Sequence, residues 1–499
     1  MLLWAISHCY PRAEKPLRRR GASPSMETLR KTKTICTIGP ASDSVQTMEK
    51  LALAGMNVAR LNFSHGTHQQ HAARIQSIRR LSSQLDLPLA IMQDLPGPKI
   101  RTGSLRDGKV LLRDNQDFIL TTRDVEGDEH RVSVSLSTLP ADVAAGDAIF
   151  LNDGSIKLEV MSTTSSEIRC RVIAGGMLTP KRGVNIPGVT VSVSSVTDED
   201  FRHLLFGLEH EVDFVALSFI AQASDVLRTR EFMRAKGADV PLIAKIERRE
   251  AVDNIDAIIA AADGIMVARG DLGVEVSLRR VPLLQKEIIA KCNRVGRPVI
   301  VATQMLESMM HSPFPTRAEV SDVANAILDG ADAVMLSGET AAGEYPEEAA
   351  SMMAAIAAEA ATALPFHHIL SEKMETVVPQ ADDAISYAAC SIAEQLGAAA
   401  ILAFTTSGST AQRVAKYRPQ APILAITPSE VVSRRLALLW GVYPYHVIEY
   451  TSVEQAFDEG VKLALQLGMA KSGDLLVMTA GVPLRIPGTT NMVKVQEIE

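Results

Sequence analysis

The sequence predicts an α/β protein built on a (β/α)₈ TIM barrel, with an all-β lid domain inserted after strand three and a C-terminal α/β domain. From residue 33 onward, short β-branched apolar runs alternate with amphipathic stretches, which is typical of βα units around a parallel sheet. The alternation gives three strands, stops at about residue 98 and resumes at about residue 196 for five more. Eight βα units predict a closed barrel whose active site lies at the C-terminal ends of the strands.

Each barrel strand is predicted from an apolar run that ends at polar or turn residues. The first run, TKTICTIG, is closed by Gly39 and Pro40, and Asp43 or Ser44 then caps a helix that extends through Leu53. The next two strands are MNVARLNF and PLAIMQD. After the insertion the strands are VDFVALSF, PLIAKIE, ADGIMVARG, RPVIVATQM and ADAVMLSGET.

The domain boundaries are predicted where the alternation of strands and helices changes. Residues 98–195 hold short alternating strands between Gly- and Pro-rich edges, which predicts an inserted β-barrel lid domain. Residues 26–97 and 196–364 then form the catalytic barrel, and residues 365–499 form a C-terminal α/β effector domain. Residues 1–25 combine apolar and basic segments, and we expect a disordered N-terminal extension before Met26; an organellar transit peptide is the alternative.

Composition argues against several classes of protein. The formal net charge of -7 disfavours a nucleic-acid partner, whose binding surface would be basic. No apolar run reaches the roughly 18 residues that cross a bilayer, so no membrane association is expected. The five cysteines are scattered without CxxC spacing, which indicates neither a disulfide framework nor a zinc site and fits a cytoplasmic location.

Polar residues at the predicted strand ends identify a candidate active site. Lys245 and Glu247 end the fifth strand, and Asp271 follows the sixth. Two carboxylates can hold a hard divalent cation, and a lysine beside them suits a transferring phosphate. Charged residues at the end of a single strand are as often solvated surface residues as they are part of a site. Polar residues at consecutive strand ends favour a shared site. The set is Arg60, Asn62, Asp94, Ser218, Lys245, Glu247, Asp271, Thr303, Ser337 and Glu339.

A second candidate site lies in the C-terminal domain. A predicted strand, ILAF, leads into a loop rich in Ser, Thr and Gly and then into a helix. Hydroxyls and backbone N–H groups at such a helix start form an anion site. We interpret the loop as the site of a phosphorylated effector, and a well-capped turn is the alternative. The loop consists of Thr405, Thr406, Ser407, Gly408, Ser409 and Thr410.

Several long strings, in this order along the chain, resemble the pyruvate kinase family: ARLNFSHG, VARGDLGVE, VATQMLESM, PTRAEVSDVANAILDG and MLSGETAAGEYP. The resemblance covers residues 31–499 and the order of barrel, inserted lid and C-terminal domain. It implies a phosphotransferase that moves the phosphoryl group of phosphoenolpyruvate to ADP, giving ATP and pyruvate in the last step of glycolysis. Such a transfer requires mainly positioning and charge neutralisation from the protein.

The resemblance also implies roles for the residues that bind substrate and metal. Glu247 and Asp271 match the ligands of Mg²⁺, which Mn²⁺ could replace. Lys245 would stabilise the migrating phosphoryl group, and Arg60 would hold it with a planar fork suited to an oxyanion. The backbone amides of Gly270 and Asp271 would receive the substrate carboxylate.

Proton transfer and nucleotide binding are implied for further residues. Thr303 and Ser337 stand where the proton relay to the enolate is expected. Threonine is too weak an acid to act alone, so we expect a water chain whose final donor stays open. Nucleotide contacts are implied for Arg101, Asp153, Arg182, Asn62 and His65.

One departure from the family pattern concerns the monovalent cation. Potassium-requiring members carry a glutamate after the third barrel strand, where this chain has DLPGPKIRTG with Lys99. Its ammonium could supply the missing positive charge, so we expect activity without K⁺. Leu95 stands in place of the threonine often found beside that glutamate, which also indicates activity without K⁺. The family's monovalent site corresponds to Asn62, Ser64, Asp94 and Leu95.

The resemblance leaves the effector and the assembly open. Thr406 stands where some fructose-bisphosphate-activated members place a lysine. Arg413, Lys416, Arg418 or Arg485 could compensate, and nothing ranks fructose bisphosphate above AMP or another sugar monophosphate. Family members are commonly tetrameric, so we expect a homotetramer regulated through its subunit interfaces.

Two other functions are compatible with parts of the sequence. An aldolase-like lyase acting on phosphoenolpyruvate or pyruvate would share the metal carboxylates but has no need of a nucleotide lid. A binding or regulatory protein on an inactive barrel would show a broken set of site residues. The set is complete here, with Arg60, Lys245, Glu247, Asp271 and Thr303 all present.

Overall fold

The computed structural model describes residues 30–152, 154–189, 192, 194–447, 450, 452–483 and 488–499. The extension predicted at residues 1–25 lies outside the described residues, and so do Asp153 and Arg485. Within the described residues the predicted fold class is confirmed.

The first part of the barrel comprises three strands and two helices. They are β1 (Lys33–Thr37), α1 (Val45–Ala54), β2 (Met56–Asn62), α2 (His68–Leu85) and β3 (Ala90–Leu95). Ser44 caps α1 by accepting from the Thr47 N–H, so the second of the two predicted caps is used. Thr67 and Gln70 form a capping box at the start of α2.

The inserted domain is a mixed β structure with its own core. It contains β4 (Val110–Leu112), β5 (Asp117–Thr121), β6 (Arg131–Ser133), α3 (Leu139–Asp142), β7 (Ala148–Leu151), β8 (Ile156–Thr163), β9 (Glu167–Ala174), β10 (Gly176–Leu178) and β11 (Val184–Asn185). Six strands form one sheet in the order β11–β7–β8–β9–β5–β6, and β4 pairs with β10. Phe118, Leu120 and Ile149 are buried in its core. The elements α3, β10 and β11 are too short to show a periodic pattern in the sequence.

The second part of the barrel contributes five strands. Its elements are α4 (Asp198–Glu209), β12 (Phe214–Leu217), α5 (Ala223–Ala235), β13 (Leu242–Ile246), α6 (Arg249–Asp253), α7 (Ile255–Ala261), β14 (Gly264–Ala268), α8 (Arg269–Glu275), α9 (Val281–Val295), β15 (Val299–Ala302), α10 (Arg317–Leu328), β16 (Ala333–Leu336), α11 (Gly338–Ala341) and α12 (Pro346–Thr362). The parallel strands close in the order β1–β16–β15–β14–β13–β12–β3–β2. The predicted eight-stranded barrel is therefore confirmed.

The C-terminal domain is a five-stranded α/β unit. It consists of α13 (Phe366–Lys373), α14 (Ala381–Leu396), β17 (Ala400–Phe404), α15 (Ser409–Lys416), β18 (Ile423–Thr427), α16 (Glu430–Leu436), β19 (Val442–His446), α17 (Val453–Gln466), β20 (Leu475–Gly481) and β21 (Thr490–Glu497). The strand order is β19–β18–β17–β20–β21, with β21 antiparallel to β20.

The C-terminal domain covers the end of the barrel at which the strands begin. Leu438 packs into the barrel interior with residues such as Ile35. Arg418 binds Asp332, directly before β16, at 2.8 Å, and Arg434 binds Asp213, directly before β12, at 2.9 Å. The opposite end, where the strands finish, holds the charged residues expected from the sequence.

Within the described residues, no single helix is both long enough and apolar enough to cross a membrane. The segments Pro346–Thr362 and Phe366–Thr376 meet the length and composition criteria only as a pair, and they are bent by 75° at the break between them.

Candidate active site

An open cavity lies at the C-terminal ends of the barrel strands. Eight of the ten polar strand-end residues line it: Arg60, Asn62, Asp94, Ser218, Lys245, Glu247, Asp271 and Thr303. Ser64 and Lys99 also line it, together with apolar residues such as Met266 and Met335. Barrel closure brings these side chains together because every parallel strand ends at the same mouth.

Ser337 and Glu339 do not line this cavity, although the sequence groups them with the strand-end residues. The Glu339 carboxylate accepts from the Ser337 N–H at 2.7 Å and from the Leu306 N–H at 3.1 Å. Glu339 therefore joins the loops after β15 and β16. The Ser337 hydroxyl is buried and has no hydrogen-bond partner among the described residues.

A buried network of charges forms the floor of the cavity. Arg60 Nε donates to Asp94 Oδ2 at 2.7 Å, and Lys245 Nζ donates to Asp94 Oδ1 at 3.2 Å. Lys245 Nζ also lies 2.9 Å from Glu247 Oε1 and 2.7 Å from Ser218 Oγ. Asp94 and Glu247 are each only 1% exposed. Two cations and two anions are thus held in one buried cluster, with Asp94 as the link between Arg60 and Lys245.

This network shifts three pKa values. Burial acts to raise the pKa of Asp94, but the charges of Lys245 and Arg60 outweigh it and hold that pKa below its usual value. Burial acts to lower the pKa of Lys245, but the Asp94 and Glu247 carboxylates reverse the shift and raise it. Burial raises the pKa of Glu247; Lys245 counters part of this shift, and the charge of Asp271 adds to it. Lys245 consequently keeps its positive charge at neutral pH.

Glu247 and Asp271 are the two cavity carboxylates that could hold a divalent cation. Among residues that the structure describes, no group of three or more His, Cys, Asp or Glu side chains could enclose a metal ion. A carboxylate pair facing an open cavity nevertheless suits Mg²⁺, which commonly keeps waters and takes substrate oxygens as further ligands. Glu247 is oriented by the Phe219 N–H, which donates to its Oε2 at 2.6 Å. The residues present therefore fit a cation held jointly with a substrate.

Thr303 and Gly270 are joined by a hydrogen bond at the cavity wall. The Gly270 N–H donates to Thr303 Oγ1 at 2.8 Å, and the Thr303 hydroxyl donates to the Ala302 carbonyl at 2.6 Å. The Gly270 amide, which the family resemblance assigns to the substrate carboxylate, is thus engaged by Thr303 in this arrangement. Asp271 follows it within the first turn of α8.

The predicted nucleotide contacts are divided between the inserted domain and the barrel. Arg101 Nη1 donates to the Lys181 carbonyl at 3.2 Å, and the backbones of Thr102 and Arg182 are hydrogen-bonded at 2.8 Å, so both arginines belong to one corner of the lid. Burial lowers the pKa of His65, and the charges of Arg101, Lys99 and Arg60 lower it further. Two of these cations, Arg101 and Lys99, belong to the inserted domain, and their charges act on His65 of the barrel.

The candidate effector loop joins β17 to α15. The Gly408 N–H donates to Thr405 Oγ1 at 2.9 Å, Ser407 Oγ donates to Ser409 Oγ at 3.1 Å, and the Thr410 hydroxyl contacts that of Thr490 at 2.8 Å. Thr406 and Ser407 are exposed. The described cations that could compensate for the missing lysine are held in ion pairs elsewhere: Arg413 with Asp382, Lys416 with Asp383 and Arg418 with Asp332.

Two residues to which the sequence analysis gives no role hold the loops around the cavity. Phe219 has a positive φ of 55° and orients Glu247 through its backbone N–H; a backbone donor leaves no signal in residue types. Arg269 contacts the loop after β15 through its guanidinium. Its position in the charged string VARGD is a signal, but the sequence does not show which way the side chain points.

Comparison with known proteins agrees with this architecture. The family described as pyruvate kinase, barrel domain, matches residues 29–350, and the pyruvate kinase alpha/beta domain matches residues 383–496. A pyruvate kinase of Geobacillus stearothermophilus is 49% identical over 472 residues, covering 94% of this chain and 80% of that protein. One from Staphylococcus aureus is 46% identical over 469 residues, with the same coverage of both chains.

A solved structure shows the same similarity in three dimensions. The crystal structure of a pyruvate kinase from Cryptosporidium parvum superposes with a TM-score of 0.90 at 36% identity, covering 95% of this chain and 97% of that one. The similarity extends over the barrel, the inserted domain and the C-terminal domain together. The chain therefore belongs to the pyruvate kinase family.

Proposed function

We propose that this protein transfers the phosphoryl group of phosphoenolpyruvate to ADP, forming ATP and pyruvate, in a reaction that depends on Mg²⁺. The observation that carries the proposal is that Arg60, Lys245, Glu247 and Asp271 line the same cavity. Phosphoryl transfer needs cations around the migrating group and little covalent chemistry from the protein. Family membership supports the same reaction.

Arg60 and Lys245 are the cations that would hold the phosphoryl group. Asp94 orients both of them, and the raised pKa of Lys245 keeps its ammonium charged while the group moves. The planar guanidinium of Arg60 can bind two phosphate oxygens, and the lysine acts as a point charge. Mg²⁺ bound at Glu247 and Asp271 would supply charge neutralisation on the substrate oxygens, and Mn²⁺ should replace it.

The second half of the reaction is protonation of the enolate. Thr303 lines the cavity, whereas Ser337 lies outside it with a buried hydroxyl that has no partner among the described residues. We assign the relay to Thr303 and to water, with Ser337 able to contribute only after the loops beside Glu339 move. A hydroxyl is too weak an acid to complete the transfer alone.

Nucleotide binding is assigned to the corner between lid and barrel. Arg101 and Arg182 would contact the phosphates from the lid, and Asn62 and His65 would contact the nucleotide from the barrel. The effect of the Arg101 charge on the pKa of His65 supports this assignment, because it requires the two groups to be close. Closure of the lid would exclude water from the transfer.

We further propose that the reaction proceeds without K⁺. Lys99 lines the same cavity as Asn62, Ser64 and Asp94, and the Leu95 carbonyl faces the same region through its bond with Ser218. An ammonium held there can replace a monovalent cation electrostatically. Regulation by a phosphorylated ligand at residues 405–410, assembly as a homotetramer and a cytoplasmic location are proposed on family resemblance and sequence pattern.

The first experiment is a measurement of ATP formation from phosphoenolpyruvate and ADP with Mg²⁺, in sodium-free buffers with and without K⁺. Lactate dehydrogenase reports the pyruvate. Equal rates in both buffers are expected. Activity only with K⁺ would retain the reaction and refute the role of Lys99. No activity in either buffer, with sugar phosphates and AMP also present, would refute the proposed function and favour a lyase or an inactive barrel.

A further inference from the structure

The loop after β15 holds the Thr303 hydroxyl at the cavity wall with an uncommon backbone conformation. Thr303 has a φ of 71° and Gln304 a φ of 53°. Left-handed backbone is disfavoured for residues with a side chain, and most strongly for a β-branched residue such as threonine. Two successive residues in this conformation require contacts that hold them there.

Arg269, the first residue of α8, makes those contacts. Its Nη2 donates to the Thr303 carbonyl at 2.8 Å and to the Gln304 carbonyl at 3.1 Å. Its Nη1 lies 2.7 Å from the Asp322 carboxylate, and the side chain is only 10% exposed. A planar guanidinium held in this way can bind two neighbouring carbonyls at once, which an ammonium on a flexible stem does less well.

The side chain of Thr303 is positioned from the same helix end. Its Oγ1 accepts from the Gly270 N–H at 2.8 Å and its one proton is donated to the Ala302 carbonyl. The position of the hydroxyl therefore depends on the Thr303 backbone and on the start of α8. Arg269 joins these two elements without lining the cavity itself.

We propose that Arg269 is a positioning residue, which fixes the left-handed Thr303–Gln304 segment so that the Thr303 hydroxyl is in place for enolate protonation. This inference rests on the proposed function. In the step concerned, the C2–C3 double bond of the enolate breaks as C3 gains a C–H bond and the enolate oxygen becomes the ketone oxygen of pyruvate. The O–H bond of the relay water breaks, and a proton from solvent hydronium replaces the one transferred. Arg269 acts on this step through the loop and not by touching the substrate.

The test uses the full-length Arg269→Gln variant and two readouts. The first is kcat and KM for phosphoenolpyruvate in the ATP-forming reaction. The second is exchange of the pyruvate methyl hydrogens with D₂O, followed by NMR in the presence of ATP and Mg²⁺. A misplacement of about 1 Å can cost about 100-fold in rate. We expect kcat and the exchange rate to fall by about 10- to 100-fold, with KM changed by less than about threefold.

Arg230→Gln is the matched control. Arg230 is also poorly exposed and also donates to a backbone carbonyl, that of Ala261, and to a carboxylate, that of Asp263. Its partners Ala261 and Asp263 precede β14, whereas Arg269 follows the other end of that strand. The control should lose thermal stability comparably to Arg269→Gln while keeping kcat and methyl exchange per folded molecule.

A rescue variant separates conformation from general stability. Glycine adopts positive φ without steric cost. The double variant Arg269→Gln, Gln304→Gly should therefore have a kcat at least about threefold higher than that of Arg269→Gln. Restoration supports the inference, and its absence overturns it.

The remaining outcomes are also decisive. Wild-type kcat and exchange in Arg269→Gln, or a change in KM alone, would overturn the positioning role while the proposed function stands. A wild-type protein that forms no ATP would instead refute the proposed function. If Arg269→Gln does not fold, Arg269→Lys takes its place, with a smaller loss of kcat and exchange at constant KM expected.

Discussion

At the scale of single residues, the candidate site is organised by Asp94, whose carboxylate binds both Arg60 and Lys245. Each of these cations lies beside an anion, so the cluster is nearly neutral although it is buried. Removing one member leaves a buried, poorly solvated charge without its partner, which destabilises the folded protein. Substitutions here should therefore affect stability as well as catalysis.

Lys245→Met should abolish most of the phosphoryl transfer. The ammonium that faces the migrating group is lost, and removal of one preorganised electrostatic contact costs about 10²–10³-fold in kcat. Stability should also fall, because Asp94 and Glu247 lose a partner. Coupled assays of folded protein measure the first effect, and thermal unfolding measures the second. Lys291→Met, at a surface ion pair with Asp256, is the control; a Lys245→Met variant as active as this control would contradict the assigned role.

Lys99→Glu should make the enzyme dependent on K⁺. The substitution removes a cation from the cavity that Asp94 also lines and introduces an anion, so the cavity would again need a monovalent cation. We expect activity without K⁺ to fall by at least about tenfold, equivalent to about 1.4 kcal/mol, and to recover when K⁺ is added. Lys109→Glu changes an exposed lid lysine by the same charge. Equal K⁺ responses in the two variants would rule out the proposed role of Lys99.

At the scale of elements, the end of α8 meets the inserted domain through Glu275. The Asn185 side chain, at the end of β11, hydrogen-bonds to Glu275, and both residues line a cavity between barrel and lid. Burial raises the pKa of Glu275 to about 7; the charge of Arg248 opposes this shift, and those of Glu250 and Asp271 add to it. The carboxyl is therefore protonated more readily in the folded protein than in the unfolded chain.

The sign of this shift predicts how stability depends on pH. Between pH of about 4.5 and about 7 the folded state binds more protons at Glu275 than the unfolded state does, so its contribution to the free energy of unfolding falls as pH rises. Glu275→Gln removes this contribution. The difference in Tm between pH 5 and pH 8 should be smaller in Glu275→Gln than in the wild type or in Glu287→Gln, a surface control on α9. An unchanged difference would show that Glu275 does not titrate in this way.

At the scale of the whole molecule, the C-terminal domain is joined to the base of the barrel by buried ion pairs. The Arg418 guanidinium binds Asp332 at 2.8 Å and lies 4.9 Å from the centre of the Trp440 ring. Asp332 also accepts from the Val299 N–H, at the start of β15. The candidate effector domain and two barrel strands are therefore coupled through one carboxylate.

Arg418→Met should weaken this coupling. Loss of one member of a buried pair costs about 3–5 kcal/mol, so the urea midpoint should decrease and the C-terminal domain should become easier to cleave from the barrel by protease. Lys462→Met, at an exposed pair with Glu459, should leave both unchanged. If the urea midpoints of Arg418→Met and Lys462→Met agree within error, apolar contacts such as that of Leu438 hold the two domains together instead.

Much of the fold was predictable because it is encoded locally. Buried parallel strands appear as unbroken apolar runs, Ser44 marks a helix start, and a change from βα rhythm to short alternating strands marks the inserted domain. The polar residues at the strand ends are also visible, and barrel topology alone implies that they converge. Elements as short as β10 and β11, of three and two residues, carry too little pattern to be recognised.

The sequence by itself therefore determined the barrel, the order of the three domains and most of the residues around the cavity. Only the tertiary structure decided the directions and partners of the side chains: Asp94 lies 151 residues before Lys245 and binds it, Glu339 joins two loops, and Arg269 reaches the Thr303–Gln304 carbonyls. These contacts depend on strand register and loop conformation after closure of the barrel. Local periodicity carries no information about either, because it reports burial along one element and not the neighbours across the barrel.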